Sequence, residues 1–374
     1  MRTMSEDLPD PGLPDRPLRH GWTTGSCATA AARAAFEALC TGMFPDPVAI
    51  RLPGGQRPSF ALALTEIGEG FARAGVVKDA GDDPDVTHGA LVVATLRRAA
   101  RGAGVVFRAG PGVGVVTRPG LPIPPGEPAI NPVPRAMMRE AIGEAAAALG
   151  DAADVVVEIS IPGGEDLARQ TLNGRLGIVG GLSILGTTGI VTPFSCAAWI
   201  HTIHRGVDVA RAMGLRHVAG ATGSTSEAAV QLLHGLDEPA LIDMGDFAGG
   251  MLKYLRRHPV PKVTVAGGFA KMTKLGQGLL DLHSRRGSVD LAWLADKVRE
   301  AGGDEALARA MLAANGANDV LRQARDAGLD LPALVAEAAW RTAARALAGA
   351  GSELEIVVVD RQGVVAARTP FKPI

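Results

Sequence analysis

The chain has 374 residues with 38 basic and 39 acidic side chains, a net charge of −1. Hydrophobic residues make up 47% and charged residues 21%, which supplies folded cores and excludes disorder over the whole length. With no basic excess and only 4% aromatic residues, neither phosphate neutralisation nor base stacking is provided for, so nucleic-acid binding is set aside.

Single cores rarely exceed about 250–300 residues, so two domains are expected. Residues 1–17 are polar and Pro-rich and read as a disordered tail without the apolar stretch of a signal peptide. A turn at Leu18–Gly25 leads into an alanine-rich helix, Ser26–Leu39, capped by Thr24 or Ser26. Short strands punctuated by Gly and Pro follow at Val48–Leu52, Phe60–Glu66, Phe71–Lys78, Ala90–Leu96 and Gly104–Ala109. A helix at Pro134–Leu149 and a strand at Asp154–Ile161 complete an α+β domain over residues 18–170.

From residue 171 the rhythm changes to strand–helix alternation. Strands are expected at Leu176–Gly180, His217–Thr222, Ala240–Met244 and Lys262–Ala266. Helices are expected at Ser195–Met213, Ser226–Leu236, Asp246–His258 and Ala270–His283. This predicts a Rossmann-like, mostly parallel α/β domain over residues 171–374. It carries a helical extension, Val289–Ala348, and a C-terminal hairpin, Glu353–Val359 with Val364–Arg368, that is able to fold back on the first domain. No run of about 18 apolar residues appears, so no membrane span is expected. Three cysteines without a CxxC spacing point to a reducing, cytoplasmic setting.

Glycine is abundant, 48 residues, and clustered, which marks tight turns and close backbone approaches. Thr23, Thr24, Gly25 and Ser26 open the first helix and form either an ordinary cap or an anion site. Lys78, Asp79, Asp82, Asp83, Asp85 and Thr87 lie in the densest polar run, ending at His88. Four carboxylates this close need a cation, an amine or shared protons. A solvated loop, a metal loop, a general base and a clamp on a cationic group all fit, while the spacing is not that of a dedicated calcium loop. Gly110–Thr117 is a glycine turn that a hairpin explains equally well.

The segment Asn173–Val191 holds Arg175, Gly177, Gly180, Gly181, Ser183, Gly186, Thr187 and Thr188 among apolar residues. It stands where the α/β half would begin, the position of a nucleoside-binding loop, although it breaks the GxGxxG fingerprint. Close packing on the sheet is the other reading. Further strand ends carry Thr222-Gly223-Ser224, Gly245-Asp246 and Gly267-Gly268 with Lys271 and Lys274, which implies one shared crevice. His201 and His204 lack an acidic partner between them and read as helix-surface residues.

Six ordered blocks, Leu18–Ala35, Val76–Ala90, Gly110–Arg135, Gly174–Val191, Met244–Lys253 and Gly267–Ser284, resemble the CbiD family of cobalamin biosynthesis. The resemblance runs from Leu18 to the final hairpin and departs from the pattern at Thr192–Cys196, where an acidic residue is expected. It implies S-adenosylmethionine-dependent methyl transfer to C-1 of cobalt-precorrin-5B. It also implies a corrinoid substrate that brings its own cobalt, so that no protein metal site is required. On that basis Asp79, Asp82, Asp83 and Asp85 are candidate catalytic residues. Gly177, Gly180, Gly181, Ser183, Gly186, Thr187, Thr188 and Asp246 are candidates for the methyl donor. Thr23, Thr24, Gly25, Ser26, Lys78, Thr87, Arg175, Lys271 and Lys274 are candidates for the substrate. Transient contact with neighbouring pathway enzymes and a homo-oligomer are compatible with it. The rivals are a corrinoid carrier without turnover and a nicotinamide-dependent oxidoreductase.

Overall fold

A computed structural model describes residues 17–284 and 287–374; the expected tail at 1–16 lies outside the described residues. The chain is a mixed α/β protein that divides into two compact units. The first comprises residues up to Thr117, Pro125–Gly174 and Ile178–Ser195; the second comprises Arg118–Pro124, Arg175–Gly177 and Cys196–Ile374.

In the first unit, helix α1 (Thr24–Thr41) begins two residues before the expected start. The cap is Thr23, whose hydroxyl accepts the Ser26 N–H. Ala28, Ala30, Ala31, Ala32, Ala34 and Ala35 are fully buried, because α1 lies between a sheet and helix α2 (Pro132–Leu149), and only small side chains permit that approach. The sheet contains β1 (Leu64–Gly68), β2 (Phe71–Val77), β3 (Leu91–Arg98), β4 (Val105–Ala109) and β5 (Val155–Ser160), ordered β1-β2-β3-β5-β4. All neighbours are antiparallel except β5 and β4. Alternation sends Ala72, Ala74, Val76, Val92, Ala94, Leu96, Val157 and Ile159 into the core. Each larger side chain among these contributes about 1.5–3 kcal/mol by leaving water.

The glycine-rich segment departs from expectation. Its residues from Ile178 onward belong to the first unit and do not form the first strand of a parallel sheet. Two-residue bridges stitch it down: Ile178–Val179 to Val115–Val116, Gly181–Leu182 to Gly112–Val113, and Ile190–Val191 to Gly21–Trp22. Gly177, Gly180 and Gly181 have φ of 75°, 87° and 159°, which interrupts any longer strand.

The second unit is built on a sheet of β6 (His217–Ala221), β7 (Leu241–Asp243), β8 (Lys262–Gly268), β9 (Glu353–Val359) and β10 (Val365–Arg368). The order is β7-β6-β8-β9-β10, parallel from β7 to β9 and antiparallel at β10. Helices α3 (Cys196–Ala212), α4 (Ser224–His234), α5 (Ala248–Arg257) and α6 (Phe269–Gly276) punctuate its first three strands. Four more, α7 (Leu291–Glu300), α8 (Glu305–Leu312), α9 (Ala317–Asp326) and α10 (Leu331–Leu347), precede β9. The expected C-terminal hairpin forms, but β9 is a parallel member of the second unit's own sheet. Its run from Leu354 to Val359 is buried, as an inner parallel strand requires. No described helix is long and apolar enough to cross a membrane.

A polar chain crosses this sheet. The Thr264 hydroxyl donates to Glu355 Oε2 (2.8 Å), which also pairs with His234 Nε2 (2.7 Å). With the Thr264 proton so used, His217 Nε2–H donates to Thr264 Oγ1 (2.8 Å). Burial, then His234 and Lys262, push the His217 imidazole down to about 4. The neutral ring therefore supports stability fully above the ordinary histidine pKa of 6.5 and progressively less as pH falls towards 4, where the unfolded chain binds the extra proton. Thermal melts from pH 7 to 4 should fall less steeply for His217→Gln than for the native chain. Parallel curves would dissociate His217 from the acid response.

Candidate active site

The acidic loop is a cross-linked turn of the first unit. Lys78 is 2% exposed and its Nζ meets Asp85 Oδ2 at 2.7 Å. Asp85 Oδ1 takes the Thr87 N–H (2.7 Å) and hydroxyl (2.6 Å). Burial pushes the Asp85 carboxyl up, but the bonds from Lys78 and Thr87 outweigh it and hold it below the usual range. Asp79 is gripped by both Nη atoms of Arg19 and takes the Gly81 N–H at 2.9 Å. The Arg19 bonds and that N–H hold it down at about 2. Asp82 accepts the Arg19 N–H (2.8 Å), and Asp83 accepts the N–H of Phe194 (2.8 Å). Phe194 has a φ of 57°, the one positive value outside glycine among the described residues. Asp79 and Asp85, held ionised by cations, are weak proton acceptors.

The start of α1 is fastened to the glycine-rich segment. The Thr24 hydroxyl donates to Leu185 O (3.2 Å) and accepts Leu185 N–H (3.0 Å), while Gly25 N–H also donates to Leu185 O (3.0 Å). The Ser26 hydroxyl donates to Gly189 O (2.7 Å). A Cβ on Gly186 would lie 2.3 Å from Thr23 Oγ1, and one on Gly189 would lie 2.8 Å from Ser26 Oγ. A Cβ on Gly181 would lie 2.3 Å from Gly112 C. Ser183 is buried beside Asn173, at 3.5 Å. Thr188 bonds back to Ile190, and Thr187 is exposed. These glycines and hydroxyls hold the segment closely against its own unit. Cys27, beneath this join, is fully buried, and burial pushes its thiol up to about 12, which disfavours the reactive thiolate.

Polar groups gather at the carboxyl ends of the parallel strands in the second unit. Thr222, Gly223 and Ser224 follow β6, Asp243 ends β7 ahead of Asp246, and Gly267–Gly268 end β8. Lys271 Nζ donates to Thr222 O (3.0 Å) and lies 3.3 Å from Asp246 Oδ1. That carboxylate oxygen is buried with no hydrogen bond aligned to it. Burial, then Glu227, push the Asp243 carboxyl up. Arg175 makes two bonds of 2.6 Å to Glu227, in the first turn of α4, and its carbonyl accepts Arg118 Nη1. Nothing lies within 4 Å of the place a Cβ would take on Gly223 or Gly268, so a ligand can reach both main chains.

The expected donor residues are therefore divided. Gly180, Gly181, Ser183, Gly186, Thr187 and Thr188 belong to the first unit, whereas Gly177 and Asp246 belong to the second. Among the expected substrate residues, Thr23, Thr24, Gly25, Ser26, Lys78 and Thr87 lie in the first unit, and Arg175, Lys271 and Lys274 in the second. Lys274 is buried and bonds Leu282 O (2.9 Å), so it anchors the following turn. Gly177 sits against the Arg118 side chain. Sequence reasoning missed Asp243, Glu227 and Arg19. An acid closing a short apolar strand was the signal for Asp243; the other two meet partners 50 to 60 residues away.

Comparison with known proteins decides the family. The CbiD model matches residues 13–193, and the model described as CbiD, C-terminal domain, matches residues 281–370. A relative from Bradyrhizobium sp. (strain BTAi1) is 68% identical over 354 residues, covering 95% of this chain and 94% of its own. The chain belongs to the CbiD family. That relative and one from Agrobacterium fabrum, 63% identical over 95% of this chain and 94% of its own, are both named cobalt-precorrin-5B C(1)-methyltransferase. The 1.9 Å crystal structure of the cobalamin biosynthesis protein (cbiD) from Archaeoglobus fulgidus is 27% identical. It covers 76% of this chain and 85% of that one, with a TM-score of 0.39. CbiD membership matches the resemblance that the six sequence blocks carry.

Proposed function

We propose that this chain is a cobalt-precorrin-5B C(1)-methyltransferase of cobalamin biosynthesis that uses S-adenosylmethionine as its methyl donor. The observation that carries the reading is 68% identity, over 95% of the chain, to a CbiD protein of that name. Neither rival, carrier or oxidoreductase, has a comparable observation behind it.

The second unit supports a Rossmann-like donor site. Its strand order reverses direction between β6 and β8, and ligands of open α/β sheets sit outside the carboxyl ends at such a reversal. The open Gly223 and Gly268 flank that point, beside Lys271 and its ion-pair partner Asp246. Asp243 and Asp246 would take ribose hydroxyls or the donor's amino group, and Lys271 its carboxylate. S-adenosylmethionine supplies an electrophilic methyl group when bound. The chain's own work is to hold it in line and keep water away. In the first unit, Asp83 is the better candidate for removing a proton, because Asp79 and Asp85 are locked to cations and Asp82 lies beside Arg19. The corrinoid carries its cobalt in as substrate. All three cysteines are free thiols, in keeping with a cytoplasmic setting.

Incubation with methyl-labelled donor and the ring-contracted cobalt-precorrin should give a corrinoid heavier by one methyl group by mass spectrometry. Tight corrinoid binding with no labelled product would sink the reading in favour of the carrier.

A further inference from the structure

The first unit's sheet has two unlike faces. Helix α1 packs on one, against Ala72, Ala74 and Ala94. The other carries a transverse row set by the strand registers: Glu66 on β1, Arg73 on β2, Thr95 on β3, Glu158 on β5 and Arg108 on β4. Its charges run minus, plus, zero, minus, plus. Read backwards, the row is plus, minus, zero, plus, minus, so every charge becomes its opposite. Exposure is symmetric about the same centre. Thr95 is buried, Arg73 and Glu158 are intermediate, and Glu66 and Arg108 are exposed.

Within the chain only one side of the row is satisfied. Arg73 bonds Glu66 Oε2 (3.0 Å) and Thr95 Oγ1 (3.0 Å). Glu158 and Arg108 make no ion pair or hydrogen bond through their side chains among the described residues. The adjoining row runs Phe71, Arg97, Val156 and the 40% exposed Val106, apolar surface interrupted by Arg97, whose guanidinium lies over the Phe71 ring.

We propose that this face binds a second copy of the chain, about a twofold axis running along β3 through Thr95. That operation lays the row on its own reverse, so Glu66 meets Arg108 of the other copy, Arg73 meets Glu158, and Thr95 meets Thr95; Arg97, two residues along β3, comes near its own copy, one like-charge contact against four opposite-charge ones. Each charged pair then occurs twice, as an isologous contact requires. A twofold across the strands would instead set Glu66 on Glu66 and Arg108 on Arg108, so the charges choose one of the two face-to-face arrangements. The chosen one keeps the central strands aligned, the common way for sheets to stack at about 10 Å, a gap that Arg and Glu side chains span. The inference does not depend on the proposed reaction.

Sedimentation equilibrium on the full chain tests it. The native protein should dimerise, and more weakly as salt rises. Glu66→Arg and Arg108→Glu should each weaken dimerisation about tenfold or more, because each sets like charges against one another. Mixing the two single variants should restore dimers, since the arginine introduced in one copy then faces the glutamate introduced in the other. The double variant should dimerise with itself for the same reason. Circular dichroism melts check that each variant is folded. A native chain that stays monomeric at low salt, folded single variants as dimeric as the native chain, or a mixture that fails to recover would each overturn the face.

Discussion

Gly81→Ala should abolish methyl transfer and lower stability by about 3 kcal/mol or more, since backbone strain and overpacking add. Gly81 has a φ of 70°, and a Cβ there would sit 2.1 Å from Arg19 O and 2.6 Å from His20 C. Gly21 meets the same crossing from the other side, where a Cβ would lie 2.0 Å from Ala80 C. Main-chain bonds hold the two segments together: Trp22 N–H to Asp79 O at 2.7 Å and Asp82 N–H to Arg19 O at 2.9 Å. No flexible side chain is available to yield, so one methyl group must separate the two backbones. The Arg19–Asp79 pair and the placement of Asp82 go with them. Urea denaturation checks the magnitude. Gly42→Ala is the control, with a φ of 78° and nothing within 4 Å, so it incurs only the left-handed strain, about 1 kcal/mol. Equal losses for the two variants would mean that the close crossing contributes nothing.

Asp243→Asn is expected to weaken donor binding about ten- to hundredfold, the range for losing a hydrogen bond to a charged group. The maximal rate should change much less, because the carboxylate would hold the donor without touching the reacting carbon. Stability should move the opposite way. Burial and Glu227 both disfavour the ionised Asp243, so neutralising the group leaves the apo protein as stable as before or more so. Calorimetric titration with S-adenosylmethionine beside a thermal melt reads both signs. Unchanged donor affinity would remove Asp243 from the site, and a large loss of stability would make it structural.

Strand-by-strand hydrophobic runs made the second unit's sheet legible, because β6, β7 and β8 are short apolar stretches followed by amphipathic helices. The same logic identified the β9–β10 hairpin and assigned it to the second half, while leaving open that it folds back on the first. A seven-residue apolar strand does not say which sheet it enters. The glycine-rich segment is ambiguous in sequence for a physical reason. A glycine required for main-chain approach to a ligand and one required for approach to another part of the protein look identical in sequence. Gly181 against Gly112 and Gly186 against Thr23 are of the second kind, and both partners are distant in the chain. The acidic loop was visible as a cluster, but its character was not. Without Arg19 opposite Asp79 and the buried Lys78 beneath Asp85, four equivalent aspartates were a fair reading.

The proposed donor site lies at the strand ends of the second unit, with the glycine-rich segment as a fastening. Main-chain deuterium exchange with and without S-adenosylmethionine tests it most directly. Slower exchange at residues 222–224, 243–246 and 267–271, with residues 180–189 unchanged, is the predicted result. Protection at 180–189 with the strand ends unchanged would contradict the account and return the donor to the glycine-rich segment.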